Sequence, residues 1–152
     1  MRKIELTAFD MAQRFVGMKE IPGTGDNPQI VSMLRLDQTW PKNDEVPWCS
    51  AFMNYITWLL RLPRSKDLRA RSWLLVGRPV TLEEAEPGFD VVILKRGGDD
   101  QPGPEVIDAK GHVGLFAGRE GDRILLLGGN QSDSVCVAGY AADRLLGIRR
   151  LL

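Results

Sequence analysis

Two residues in this chain have the types and placement for nucleophilic chemistry. Cys49 follows Pro47 and Trp48 and opens the amphipathic stretch 49–60. Proline is tolerated at or just before a helix start but not inside one, so the pattern places Cys49 in the first turn of a helix. Unpaired backbone N–H groups and the macrodipole favour an anion there. A thiolate is such an anion, and the same placement draws a cysteine pKa into the reactive range. His112 is the single histidine and lies in Gly111-His112-Val113-Gly114. Only histidine titrates near neutral pH without perturbation. Cys49 as nucleophile and His112 as base suit acyl transfer, which then needs a third group to orient the ring. Gly128-Gly129-Asn130-Gln131 supplies two amides, and Asn130 or Gln131 could accept a hydrogen bond from the imidazole.

Each feature also has a plainer reading. A cysteine on an amphipathic helix is most often a small buried hydrophobe. A histidine at the start of a strand is more often structural, and Gly128-Gly129-Asn130 also fits a tight turn. Cys136 alternates with Val135 and Val137, which sends it to the opposite strand face and makes it structural or incidental. The four tryptophans read as core or cleft walls, and the charges at 61–71 as a solvated face.

The elements that must position this chemistry change character along the chain. Thr7 caps a first helix carrying Phe9, Ala12, Phe15 and Val16 at helical spacing. Asn27-Pro28 reads as an N-cap followed by proline at the first helical position. The Cys49 helix ends at Pro63, and a short helix over 70–76 stops at Gly77. After Pro87-Gly88 the pattern becomes β-rich, with strands at 91–94, 112–117, 124–127, 135–138 and 147–150. A hairpin-like connection falls at 118–122. The long polar loop 97–110 leads straight into His112, and loops of that length are often functional. Helices followed by antiparallel strands imply an α+β fold.

Composition bounds the rest. The 152 residues fit one domain, 1–152, with a sizeable core. A zero formal net charge argues against a nucleic-acid partner. No apolar run approaches the roughly 20 residues of a membrane span, and no signal-peptide pattern is seen. Two cysteines are too few for a disulfide scaffold. With one histidine and no Cys-x-x-Cys, neither a metal nor a cofactor is expected.

Val46-Pro47-Trp48-Cys49-Ser50-Ala51-Phe52-Met53-Asn54, Ala70-Arg71-Ser72-Trp73-Leu74, Pro87-Gly88-Phe89-Asp90-Val91-Val92, Gly111-His112-Val113-Gly114 and Gly128-Gly129-Asn130-Gln131 occur in that order. Together they resemble the NlpC-type and CHAP-type cell-wall cysteine peptidases, including a small bacterial and phage subfamily with Trp-Cys-Ser/Ala-Ala-Phe and Gly-Gly-Asn-Gln signatures. The resemblance spans residues 20–150. It implies a papain-like fold with the nucleophile helix packed on an antiparallel sheet. It also implies hydrolysis of an amide bond of peptidoglycan, in the stem peptide or at the muramoyl–L-alanine junction. By motif position Cys49 is the nucleophile, His112 the base and Asn130 the orienter, with Gln131 adjacent. Peptidoglycan is the implied partner, with no separate wall-binding domain. Export machinery, a holin or an immunity protein are further partners consistent with synthesis in the cytoplasm and action at the wall. An acyltransferase or deamidase on a non-wall substrate, or a catalytically dead wall-binding module, is the alternative.

Overall fold

The computed structural model describes residues 1–152 except Thr24 and Asp99. Three α-helices come first: α1 (Ala8–Gln13), α2 (Pro28–Leu34) and α3 (Cys49–Leu59). Thr7 and Asp10 form a reciprocal capping box at the start of α1, satisfying two backbone donors that a helix start leaves free. Asn27 caps α2 through Gln29 N–H, and Pro28 occupies the first helical position. No side chain caps α3; Trp48 precedes it and Cys49 is its first residue. The segment Ala70–Leu75 is a 3-10 rather than an α-helix, and Gly77 follows in the left-handed region at φ 73°.

Six strands follow: β1 (Arg78–Val80), β2 (Asp90–Lys95), β3 (Gly111–Glu120), β4 (Arg123–Gln131), β5 (Ser134–Ala141) and β6 (Leu145–Arg150). They form one antiparallel sheet in the order β1-β6-β2-β3-β4-β5. The chain is therefore α+β, as its pattern implies. β1 was not visible in the sequence, because a three-residue strand containing Pro79 carries almost no alternation and sits at the sheet edge. β3 and β4 run further than their apolar runs suggest. Exposed Glu120 pairs with Arg123, leaving a two-residue hairpin turn at Gly121-Asp122.

The sheet is buried on both faces. Val91 and Ile93 of β2 pack with Val113, Leu115 and Leu127 against the helices, where Ile30, Leu34, Phe52 and Ile56 are fully buried. Val92 and Leu94 point to the other face and join Phe116, Ile124, Leu126 and Ile148 in a smaller core. This explains why 91–94 reads as an unbroken apolar run. At the far edge, residues 17–20 lie along β5. Gly17 N–H donates to Val135 O at 3.0 Å, and Val135 N–H donates to Met18 O at 2.8 Å. That contact covers an edge that would otherwise be open to pairing.

Candidate active site

Cys49 is placed by what its helix packs on. Trp48 and Phe52 are fully buried against the backbone of Gly129 in β4, where a Cβ would meet the Trp48 ring at 2.6 Å and Phe52 Cβ at 2.8 Å. Only glycine fits there, so the start of α3 approaches the strand closely. The Trp48 indole N–H donates to Glu20 Oε1 at 3.1 Å. One turn further on, Ser50 Oγ accepts from Trp73 Nε1 at 2.9 Å and donates to the Asp67 carbonyl at 2.5 Å. Asn54 Nδ2 donates to the carbonyls of Ser50 and Asp67. α3 is thus fixed at both its packing face and its first turns.

His112 enters on β3, where it lies opposite Leu94 of β2. Its ring lies near enough to the Cys49 thiol for each to shift the other's proton affinity. The far ring nitrogen, Nε2, lies 2.9 Å from Gln131 Oε1 and 3.2 Å from the Tyr140 hydroxyl. Gln131 Nε2 donates to the carbonyls of Leu126 (3.2 Å) and Cys136 (2.7 Å). Those two acceptors fix the amide orientation, so Oε1 must face the ring. An acceptor at that position requires His112 Nε2 to carry the proton. Nδ1 is then the nitrogen left to take a proton from the thiol.

Of the two amides weighed for this position, Gln131 is the one hydrogen-bonded to His112. Asn130 lines the cavity beside the ring but adopts φ 57°, within a bulge between Gly128 and Gln131. Regular alternation from Gly128 would send residue 130 toward His112. The bulge shifts the phase by one residue and brings Gln131 there instead. Tyr140 was not singled out in the sequence. Its one signal was alternation along β5 with Cys136, two steps away on the same face. Cys136 is half-buried, and its thiol lies 3.4 Å from the Gln131 carbonyl.

The electrostatics favour a separated charge. Burial pushes the Cys49 thiol up, but the His112 hydrogen bond and charge, the Val113 backbone and Arg96 bring it below its ordinary value. Burial pushes His112 down, and the contacts with Cys49 and Gln131 outweigh this and raise it. Both shifts favour thiolate beside imidazolium. Tyr140 is pushed up to about 12 by burial and by Cys136 and Cys49, so its hydroxyl keeps its proton at neutral pH.

Two cavities flank this pair. One, of about 440 Å³, is lined by Pro47, Cys49, Ala70, Arg96 and Lys110 among others. The second, of about 260 Å³, is lined by His112, Asn130, Gln131, Tyr140 and Arg96 among others. Part of the wall of the first is the end of the loop 97–110. Arg71, fully buried, straps that loop by donating to the carbonyls of Pro102, Gly103, Val106 and Lys110. Asp44 Oδ2 accepts from the Ile21 and Asn27 N–H groups, and Asp26 accepts from Asp44 N–H. Asp26 and Asp44, like Glu20, thus hold the segment before α2 and the start of α3. Among the described residues, no three His, Cys, Asp or Glu side chains converge to hold a metal ion. No described helix is long and apolar enough to cross a membrane.

No protein-family profile and no curated protein sequence matches the chain. A solved structure does: NlpC1 from Trichomonas vaginalis, with a TM-score of 0.56 and 16% identity. The match covers 99% of this chain and 46% of the other, so the chain spans about half the length of its structural neighbour. The chain has an NlpC-like, papain-like α+β fold.

Proposed function

We propose that this protein is a peptidoglycan hydrolase that cuts an amide bond of the stem peptide, or the muramoyl–L-alanine bond, through Cys49 and His112. The observation that carries the reading is the hydrogen bond that holds His112 Nε2 on Gln131 while the same ring and Cys49, at the first position of α3, shift each other's proton affinity. A thiolate with a tautomer-locked base is what acyl transfer to sulfur requires. The family resemblance of the motifs and the NlpC-like fold supply the substrate class.

In the proposed mechanism the Cys49 thiolate attacks the carbonyl carbon. Electrons move onto the carbonyl oxygen, and the Cys49 backbone N–H, free at the helix start, is positioned to donate to it. The tetrahedral adduct collapses as His112 passes its proton to the leaving amine, giving a thioester and a free amine. Water then attacks the thioester while His112 takes its proton. Collapse releases the carboxylic acid and returns the thiolate beside an imidazolium. Gln131 keeps Nε2 protonated throughout and so acts as a positioning residue. The substrate is the cell wall, reached after release or delivery from the producing cell.

Incubation of the purified protein with Gram-negative sacculi, beside Cys49→Ala, tests this reading. Soluble muropeptides released only by the wild type are the expected result, and their masses name the bond. Absence of release from a folded wild type overturns the wall substrate and moves the chemistry to another acyl donor.

A further inference from the structure

The charges near the reactive pair are arranged unevenly. The chain has no formal net charge. The cavity on the His112 side is nevertheless lined, among the described residues, by Lys95, Arg96 and Arg144 and by no acidic residue. The cavity on the Cys49 side adds Arg69 and Lys110 against one acid among the described residues, Asp108. Several of these cations are already engaged. Arg69 is bound by Asp67 through both carboxylate oxygens, and Arg144 donates to the carbonyls of Lys95 and Gly97. Among the described residues Arg96 has no ion-pair partner.

Among the described residues Arg96 is also the one common to both cavities. It follows directly on Lys95, which pairs with Gly111 at the end of β2, one step from His112. Its charge acts on Cys49, His112 and Tyr140 alike. A guanidinium so placed meets whatever lies within a few bonds of the scissile amide. Its planar fork matches a carboxylate through paired hydrogen bonds. Beyond Ser132 the surface changes sign. That residue also lines a third cavity bearing Glu20, Asp44, Glu45 and Asp133 against Lys19, whose acidic excess disfavours an anion there relative to the Arg96 side.

We propose that Arg96 is a specificity residue that reads a free carboxylate beside the scissile bond, so that this cleft selects acidic stem peptides over amidated ones. The inference rests on the wall-hydrolase reading and sharpens its substrate. Stem peptides meet the requirement, because an isoglutamyl residue carries an α-carboxyl group that is either free or amidated.

The test uses two disaccharide–peptide muropeptides that differ only at that carboxyl group. Each is assayed with the wild type, Arg96→Gln and Arg96→Lys, with thermal melting as a check on folding. The expected result is a kcat/KM for the free acid about tenfold or more above that for the amide, as charge-assisted hydrogen bonds allow. The preference falls with added salt, disappears in Arg96→Gln and partly returns in Arg96→Lys. Equal rates on acid and amide in the wild type overturn the inference while leaving the hydrolase reading intact. An Arg96→Gln protein that keeps the preference overturns the role of Arg96. If the wild type cuts neither muropeptide, the hydrolase reading falls and this inference falls with it.

Discussion

Around Cys49 the neighbours Trp48, Ala51, Phe52 and Met53 are buried and apolar, Ser50 is the hydrogen-bonded exception, and the helix start rests on a bare glycine. Around His112 they are polar: Gln131, Tyr140 and, behind them, the carbonyls of Leu126 and Cys136. Cys49 is held mainly by packing, and His112 mainly by a chain of hydrogen bonds. Packing tolerates little change in volume but is indifferent to pH. A hydrogen-bond chain tolerates changes in volume better, but it also sets a tautomer and a proton affinity. Position and protonation state are thus controlled from opposite sides of the same contact.

Substitutions separate the two kinds of control. Cys49→Ser removes the thiolate and leaves the packing, so amide hydrolysis should fall by about a thousandfold or more with an unchanged melting curve. Muropeptide release and circular dichroism check both halves of that expectation. Gln131→Ala leaves the ring without its acceptor, and kcat should fall about a hundredfold, within the range of acid–base contributions.

The pH profile gives Gln131 a second readout. Activity should rise with pH through the lowered Cys49 value and fall through the raised His112 value. Gln131 helps raise His112, so its removal lowers that value and moves the alkaline limb to lower pH. An unmoved limb would mean that Gln131 only fills space.

Gly129→Ala attacks the packed side from the strand. The added Cβ overlaps Trp48 and Phe52, and overpacking of this kind costs about 1–3 kcal/mol. Denaturant melts measure that loss, which should come with slower alkylation of Cys49 as α3 is pushed away from β3. Tyr140→Phe removes only the longer of the two contacts at Nε2. A loss of at most about tenfold in kcat is expected, the scale of one neutral hydrogen bond.

The smallest effect belongs to Asn130→Gly. Residue 130 sits in the left-handed region, where glycine is at ease, and among the described residues its side chain makes no hydrogen bond to the ring. Activity close to wild type is expected. A loss comparable to that of Gln131→Ala would return the orienting role to Asn130.

These two regions also differ in how far the sequence revealed them. The packed side was legible. Pro47-Trp48 before an amphipathic run placed Cys49 at a helix start, and the caps at Thr7 and Asn27 stand where their residue types indicate. The strands that carry the apolar runs were legible for the same reason. The wired side was half legible. His112 stood out by its type, and Gly128-Gly129 by the close approach it permits. The choice between Asn130 and Gln131 depended on a bulge, and a bulge is set by backbone geometry and pairing rather than by alternation. Tyr140 and Arg96 reach the site from strands far apart in sequence, and no local pattern joins them to it. Arg71 was hidden among charges that read as a solvated face, yet it is fully buried.

Arg71 has a consequence for how such a cleft could diversify. Every acceptor it uses in the loop 97–110 is a main-chain carbonyl, and every amino acid supplies one. Apart from Glu105, whose charge favours the buried guanidinium, the side chains of that loop are not what this fastening uses. A library randomised at Asp108 and Lys110 could explore new substrates on an anchored frame, as antibody loops do on their sandwich.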